Sequence, residues 1–258
     1  MRIGVSIDQL SRPTPGGIGT YVRGLLQGLA EVGQGHEVAT FGATSSRWAE
    51  RLQTLAWVNT DRGVPADLDV VHATSFAGPF GHRAGMRRSI MIQDVLWKDE
   101  PSSFTARGRK FHDLRFLKVV QRDDIDVLVS TPELRERIVS EGIARERTHL
   151  VNLGLDHDGE IAQRDTVLRR CGITGPFTVV VGTIEPRKNH ERLISAFHMA
   201  RNTSPELGQL VLVGRVGWGE LHIPADVLWF SDLTTPEVRA LQEAATVSAY
   251  VPLQEGWG

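Results

Sequence analysis

The sequence contains a single cysteine, Cys171, among 258 residues. One thiol cannot form an internal disulfide, and a lack of disulfides is typical of the reducing cytoplasm. No apolar run reaches the roughly 18 residues that a membrane-spanning helix requires. The chain also begins directly as a short strand, with no pattern of a secretion signal. We therefore expect a cytoplasmic protein.

An excess of charge of one sign is also missing, since 29 Lys and Arg residues oppose 31 Asp and Glu residues. Proteins that bind nucleic acid usually carry a basic domain, so the net charge of −2 predicts no nucleic acid partner. What is present is an ordinary soluble composition, 41% hydrophobic and 23% charged. A chain of this length can bury a substantial core and hold one large or two smaller domains.

Short apolar segments alternate with helical patterns along the chain, which predicts an α/β protein with parallel sheets. The predicted strands span residues 3–7, 36–41, 70–72, 90–92, 125–129, 149–153, 178–181, 210–213, 227–230 and 247–251. The strand pattern breaks at a polar segment, residues 156–163, and then resumes. We therefore predict two domains, residues 1–155 and 156–258, with a hinge between them.

The most informative stretch is Gly182-Thr-Ile-Glu-Pro-Arg-Lys-Asn189, which follows an apolar strand and precedes an amphipathic helix. We expect Asn189 to cap that helix. Arg187 and Lys188 then lie beside free N–H groups and the positive end of the helix dipole, where an anion is favoured. Two cations in this position suit a diphosphate. The alternative is an ordinary turn whose basic residues are solvated.

Two further segments have both a ligand-binding and a plain structural interpretation. Gly16 and Gly17 follow the first strand, where adjacent glycines let the backbone approach a ligand or simply turn the chain. Residues 101–122 carry six Arg or Lys residues against Asp113. A helix there places Arg115, Lys118 and Arg122 on one face and Leu114, Leu117 and Val120 on another. That basic face suits anionic lipid or an anionic acceptor, or is a solvated surface.

The segment 182–189 resembles the signature of retaining GT-B glycosyltransferases of family 4. Three further landmarks of that family follow in register: Gly16-Gly-Ile-Gly19, Leu212-Val-Gly-Arg-Val-Gly-Trp218 and Glu255-Gly-Trp-Gly258. The resemblance covers nearly the whole sequence. It implies two facing Rossmann-like domains, with the acceptor on the N-terminal domain and the nucleotide sugar on the C-terminal one.

The resemblance also implies a reaction. A hexosyltransferase of this family moves a sugar from a nucleotide-diphosphate sugar to an acceptor with retention of anomeric configuration, and no metal or other cofactor is expected. The acceptor is a sugar, a lipid-linked molecule or another small molecule. An anionic acceptor or lipid at residues 101–122 implies peripheral contact with the inner face of a membrane.

Candidate site residues follow from the same resemblance. The catalytic candidates are Arg187, Lys188 and Glu255. The donor-binding candidates are Gly17, Gly182, Thr183, Arg187, Lys188, Asp232 and Glu255. Asp232 corresponds to a loop that closes around the nucleoside in relatives, and its alternative role is that of a helix cap.

The sequence departs from the family pattern at two places. Many relatives have a His-Asp pair where this chain has Gln93 and Asp94. A glutamine can hydrogen-bond a sugar but takes no proton at neutral pH, and Asp94 is more typical of a turn. The family's second glutamate, eight positions after Glu255, falls beyond Gly258. We therefore expect a truncated C-terminal domain that binds donor weakly and transfers sugar slowly or not at all.

Three other functions fit parts of the pattern. A nucleotide-sugar-binding fragment or inactive paralogue would recognise the donor without turnover. A GT-B sugar-nucleotide epimerase shares the architecture, but the Glu-Pro-Arg-Lys string disfavours it. A Rossmann dehydrogenase is disfavoured because the N-terminal glycines lack the G-x-G-x-x-G spacing of dinucleotide-binding proteins.

Overall fold

The computed structural model describes residues 1–12, 16–33, 35–42, 63–78, 83–154 and 159–257. The chain divides into two compact units. The N-terminal unit comprises Met1–Leu155 with Gly256–Gly258, and the C-terminal unit comprises Asp156–Glu255. The predicted hinge at residues 155 and 156 lies outside the described residues.

The N-terminal unit is built on a parallel sheet of six strands. These are β1 (Arg2–Ser6), β2 (Glu37–Phe41), β3 (Val70–Ala73), β4 (Arg87–Ile92), β5 (Asp126–Val129) and β6 (Thr148–Leu150). The described helices are α1 (Gly16–Val32), α2 (Leu96–Asp99), α3 (Ala106–Val120) and α4 (Pro132–Ser140). The strand order is β2-β1-β3-β4-β5-β6, which agrees with the predicted parallel α/β sheet.

Burial in this sheet explains why its strands read as continuous apolar runs. Ile90, Met91 and Ile92 at the end of β4 are all fully buried, so both faces of the sheet are covered. Trp97 of α2 packs among Phe76 and Phe116, and its indole N–H donates to a carboxylate oxygen of Asp113 over 2.8 Å. The buried indole therefore has its hydrogen-bond partner.

The C-terminal unit contains a parallel sheet of four strands in the order β10-β7-β8-β9. The strands are β7 (Phe177–Val181), β8 (Gln209–Val213), β9 (Val227–Phe230) and β10 (Val247–Ser248). The helices are α5 (Arg164–Arg170), α6 (His190–Thr203) and α7 (Thr235–Ala244). β10 is shorter than the predicted strand 247–251, because only Val247 and Ser248 pair with β7.

Alternate residues of β7 and β8 supply two separate cores. Val179 and Val211 pack on one face of the sheet in a cluster that includes Val167 of α5 and Leu241 of α7. Val180, Leu210 and Leu212 pack on the other face with Leu193, Ile194 and Phe197 of α6. Because side chains of a strand alternate between faces, both faces must be apolar. This double burial fixes the carboxyl ends of β7 and β8 beside each other.

The predicted faces of α3 are wrong. Arg115 is buried, with its guanidinium 5.6 Å from the ring centroid of Phe111, whereas Leu114 and Leu117 are 54% and 48% exposed. Phe116 and Val119 pack in the core. Arg115 is adjacent to Phe116 on the same side of the helix, so it is buried as well. Arg122 lies beyond the helix and pairs with Asp124 over 2.7 Å. No single exposed face therefore carries the three predicted basic residues.

Candidate functional site

The basic loop, residues 182–189, connects β7 to α6. Residues Pro186–Lys188 form one 3-10 turn, and Asn189 follows with a left-handed backbone, φ 60°. Asn189 occupies the position before α6, but the predicted side-chain cap is wrong. Its amide nitrogen instead donates to the carbonyl of Val251 over 3.1 Å. Asn189 thus links the basic loop to the end of the chain.

The glycine loop, residues 214–219, lies directly against the basic loop. The amide of Ile184 donates to the carbonyl of Arg215 over 2.8 Å, and the amide of Gly217 returns a bond to Ile184 over 2.9 Å. A methyl group on Gly214 would lie 1.9 Å from the carbonyl oxygen of Gly182. The two loops approach this closely only because Gly214 has no side chain. The sequence showed the motif but not this contact.

The terminal segment, residues 249–255, runs along the other side of the basic loop. The amide of Ala249 donates to Val179, and the amide of Leu253 donates to the carbonyl of Arg187, both over 2.9 Å. Together with the hydrogen bond from Asn189 to Val251, these bonds attach the terminal segment to β7 and the basic loop at three points. Glu255 is thereby brought next to Arg187 and Lys188, which lie 68 and 67 residues away in the chain.

The predicted catalytic residues form one ion-pair cluster. Lys188 Nζ lies 2.7 Å from Glu255 Oε1, and Arg187 Nη1 donates to the same oxygen. Arg187 Nη2 lies 2.6 Å from Glu185 Oε1. Exposed fractions of the side chains are 13% for Arg187, 15% for Lys188 and 17% for Glu255, so solvent screens these pairs only in part. Two cations and two carboxylates leave the cluster with no net charge.

Two members of this cluster were not predicted. Glu185 is buried, and burial raises the pKa of its carboxyl group, while Arg187 and Lys188 lower that pKa. The hydroxyl oxygen of Tyr250 lies 2.9 Å from Lys188 Nζ, and the ammonium is 4.9 Å from the ring centroid. Glu185 belongs to the segment 182–189, so its place in the sequence could have indicated that it lies near Arg187 and Lys188. The position of Tyr250 could not be predicted from the sequence, because only the tertiary structure brings it next to Lys188, 62 residues away in the chain.

The remaining donor-binding candidates lie in different places. Gly182 begins the basic loop beside the Lys188 side chain, and Thr183 contacts Gly217, where an added methyl would lie 2.8 Å from Thr183 Cγ2. Asp232 is exposed before α7. Its alternative role as a cap is wrong, because Thr234 caps α7 together with Glu237. Ligand contacts of these residues stay predictions.

Gly17 belongs to the N-terminal unit and lies in the first turn of α1. It is exposed, and a methyl group there would meet no atom within 4 Å. The loop residues 13–15 that precede this helix lie outside the described part of the chain. A ligand contact of Gly17 stays a prediction.

Polar residues occupy the carboxyl edge of the N-terminal sheet. The amide of Gln93 donates to the carbonyl of Thr74 over 2.9 Å, and Thr74 in turn bonds Ser6. Since a carbonyl can only accept, this contact fixes the glutamine orientation and turns Oε1 away from Thr74. A carboxylate oxygen of Asp94 accepts from the Leu96 amide over 3.2 Å, as expected for a turn residue. Gln93 thus uses its amide group within the protein and has no titratable group.

A second group of hydrogen-bonded polar side chains in the N-terminal unit was not predicted from the sequence. His72 Nε2 is 2.9 Å from the Tyr21 hydroxyl, and His72 Nδ1 is 2.8 Å from Ser89 Oγ. Burial lowers the pKa of His72 to about 4 and raises the pKa of Tyr21 to about 12. Both side chains are therefore neutral at pH 7.

No model of a known protein family matches the chain, and no curated protein matches its sequence. Solved structures do match in three dimensions. HepE of Anabaena in complex with UDP and glucose has a TM-score of 0.62 at 14% identity, over 98% of this chain and 74% of HepE. WaaG, a glycosyltransferase involved in lipopolysaccharide biosynthesis, has a TM-score of 0.63 at 16% identity, over 99% of this chain and 76% of WaaG.

The chain has the GT-B fold. The predicted fold class, α/β with parallel sheets in a GT-B arrangement, is confirmed. A second HepE structure, in complex with UDP-glucose, matches at a TM-score of 0.61 and 14% identity over 98% of this chain and 74% of HepE. Such identities establish the fold alone, so the activity rests on the site.

Proposed function

We propose that the chain binds a nucleotide-diphosphate sugar and transfers its sugar to an acceptor with retention of configuration, as a glycosyltransferase of family 4. One observation carries the proposal. Arg187 and Lys188, at the carboxyl end of β7, both direct a charged donor to a single oxygen atom of Glu255. A point at which two cations meet one anionic oxygen is chemically suited to a phosphate group. The fold supports the proposal, since HepE was crystallised with UDP-glucose.

The cations serve the transfer step through charge. When the glycosidic bond to the diphosphate breaks, negative charge grows on the leaving phosphate and positive charge grows on the anomeric carbon. Arg187 and Lys188 bind the growing negative charge more strongly than the ground state, which lowers the barrier. The Lys188 side chain is only 15% exposed, so water screens this interaction less than at an open surface.

The acceptor is proposed to be a sugar, a lipid-linked molecule or another small molecule. Gln93 offers Oε1 as a hydrogen-bond acceptor to a hydroxyl group but takes no proton. In the family that the sequence resembles, an oxygen of the leaving phosphate helps to deprotonate the acceptor hydroxyl. The proposed reaction therefore assigns no general base to the chain, and no step is assigned to a metal.

Binding without turnover is the second candidate function. The observation that favours it is Gln93: many members of the resembling family place a histidine near the acceptor hydroxyl, whereas the amide of Gln93 donates to Thr74, and a weaker acceptor contact would leave the bound donor without a reaction partner. A panel of radiolabelled nucleotide sugars, followed for both hydrolysis and transfer, separates the two functions. Saturable donor binding with neither hydrolysis nor transfer, tested over several acceptor classes, would establish the binding-only function.

Replacing Lys188 by alanine is expected to weaken the binding of nucleoside diphosphates and nucleotide sugars by about 10- to 100-fold, since a charge-assisted hydrogen bond contributes roughly 1.5–3 kcal/mol. Isothermal titration calorimetry with UDP and UDP-glucose, then with other bases, measures the change. Lys110→Ala, an exposed lysine of α3, is the matched control and should bind as the wild type does. Unchanged affinity in Lys188→Ala would remove Lys188 from the site.

We propose that the exposed face of α3, and not the face predicted from the sequence, makes peripheral contact with an anionic membrane. The exposed face of α3 carries two leucines between basic residues: Arg107, Lys110, Leu114, Leu117 and Lys118. Exposed leucines can enter the headgroup boundary, while each nearby basic residue adds about 1 kcal/mol on an anionic surface. None of the described helices combines the length and apolarity that a bilayer crossing requires.

Vesicles containing phosphatidylserine are therefore expected to bind the protein, and added salt is expected to release most of it. The double variant Leu114→Ser, Leu117→Ser should bind several-fold more weakly in a sedimentation assay. Arg23→Gln, an exposed position on α1, is the control for charge elsewhere on the same unit. Equal binding to neutral and anionic vesicles, or none to either, would contradict the proposed surface.

A further inference from the structure

The cations proposed to bind a diphosphate are already occupied by the chain itself. Glu255 Oε1 accepts from Arg187 Nη1 and from Lys188 Nζ, the latter over 2.7 Å. Arg187 Nη1 also donates to the carbonyl of Gln254 over 3.3 Å. A ligand phosphate therefore meets two cations whose strongest acceptor is a carboxylate of the same protein.

A third donor belongs to this group. An ammonium can only donate, so Tyr250 accepts the 2.9 Å hydrogen bond from Lys188 and keeps its own hydroxyl hydrogen for another acceptor. Burial raises the pKa of Tyr250, the hydrogen bond from Lys188 lowers it, and the nearby charge of Glu255 raises it. The phenol therefore keeps its hydroxyl hydrogen, which is available to an anion bound beside Lys188. Arg187 and Lys188 donate to the Glu255 carboxylate, and the Tyr250 hydroxyl lies beside the same ammonium.

We propose that Glu255 is a placeholder for a ligand phosphate: its carboxylate occupies an anion site formed by Arg187, Lys188 and Tyr250, and a nucleoside diphosphate binds by displacing it. The proposal rests on the proposed function, since it concerns the same site. It adds Tyr250 as a ligand-binding residue, and it gives Glu255 a role in the unliganded protein.

Charge explains why the carboxylate must leave. A diphosphate placed beside Arg187 and Lys188 while Glu255 remained there would bring like charges together, which is unfavourable in a site screened only in part. Displacement exchanges one anion for another and keeps both cations paired. It also leaves the carboxylate of Glu255 free to accept hydrogen bonds from hydroxyl groups of the donor sugar.

The two carboxylates of the cluster differ in their freedom to move. The Glu185 side chain is 4% exposed and lies within the basic loop, next to the buried end of the turn. The Glu255 side chain is 17% exposed and follows a backbone that is attached at Leu253 and, through the 3.3 Å bond from Arg187, at Gln254. Glu185 therefore stays with Arg187 when Glu255 leaves, and one carboxylate continues to hold the guanidinium in place.

The proposal predicts gains of different size for two ligands. Glu255→Gln removes the competing charge, so inorganic pyrophosphate should bind about tenfold more tightly, the size expected for the loss of one charge-assisted contact. UDP-glucose should gain less than pyrophosphate does, because the variant also loses a charged acceptor for the sugar hydroxyls. Tyr250→Phe in the Glu255→Gln background should weaken pyrophosphate binding about fivefold while keeping the ring over Lys188.

Calorimetric titration of inorganic pyrophosphate and of UDP-glucose into the full chain, at fixed ionic strength, tests this. Glu206→Gln, an exposed glutamate in the turn after the C-terminal end of α6, is the matched control and should leave both affinities unchanged. Thermal unfolding of each variant verifies that it folds. Should Glu255→Gln fail to fold, Glu255→Asp withdraws the carboxylate by one methylene and should also tighten pyrophosphate binding.

Equal or weaker pyrophosphate binding by the folded Glu255 variants overturns the placeholder, and so does a lack of pyrophosphate binding in every variant. Equal affinities of Glu255→Gln and its Tyr250→Phe double variant remove Tyr250 from the site. The proposed function fails on different grounds. It is contradicted if the wild type binds no nucleotide sugar, or if Lys188→Ala binds nucleotide sugars as the wild type does.

Discussion

Replacing Gly214 by alanine is expected to lower the free energy of unfolding by about 3 kcal/mol and to weaken nucleotide binding at least tenfold. The added methyl would lie 1.9 Å from the carbonyl oxygen of Gly182 and 2.6 Å from its carbon. Both are backbone atoms, so no side chain can rotate to make room. Either the glycine loop or the basic loop must move, and the basic loop carries Arg187 and Lys188.

The stability and binding effects are separable by two measurements. Urea unfolding followed by circular dichroism reports the free energy, and calorimetry with UDP reports the site in the folded fraction. Gly175→Ala is the matched control, because a methyl there meets no atom within 4 Å in the same unit. Wild-type stability and affinity in Gly214→Ala would show that the two loops are not held as closely as the structure indicates.

Acid is expected to destabilise the N-terminal unit between pH 6.5 and pH 4 through His72. Burial lowers the pKa of His72 from its ordinary value of 6.5 to about 4. In this range the unfolded state binds a proton that the folded state does not, so the free energy of unfolding falls as the pH falls. A difference between 6.5 and about 4 corresponds to about 3 kcal/mol of stability lost by pH 4.

A variant that cannot titrate tests this assignment. His72→Gln should show a smaller loss of stability between pH 6.5 and pH 4 than the wild type, whatever its stability at pH 7. Some acid sensitivity should remain, because burial also lowers the pKa of His112 to about 4. Urea unfolding at several pH values measures the slope, with the exposed His36→Gln as control. An unchanged slope in His72→Gln would contradict the assignment.

Local pattern was sufficient for most elements of the fold. Helix α4, Pro132–Ser140, is specified by adjacent residues, because Thr131 caps it and a proline begins it. The strands predicted at residues 178–181 and 210–213 each start one residue earlier in the structure, at Phe177 and Gln209. Buried parallel strands are apolar on both faces, so their signal is contained in a few adjacent residues.

The local sequence pattern did not predict which face of a helix is buried when two of its faces have a similar composition. Around α3, basic and apolar residues alternate so that several faces satisfy a helical period, and the predicted one was wrong. The packing of Phe116 and Val119 in the core decided which face is buried. At Asn189 the residue type indicated a cap, but the carbonyl of Val251, 62 residues away, took the amide instead. Neither competitor is visible in the neighbouring sequence.

The same division holds for the site. The sequence by itself determined that Arg187 and Lys188 follow a buried strand, because strand, turn and helix signals are local. Only the tertiary structure decided what those cations meet. The pairing of β10 with β7 brings the terminal segment alongside the basic loop, and with it Tyr250 and Glu255. Contacts between residues more than 60 positions apart depend on how strands are ordered in a sheet, and no local pattern encodes that order.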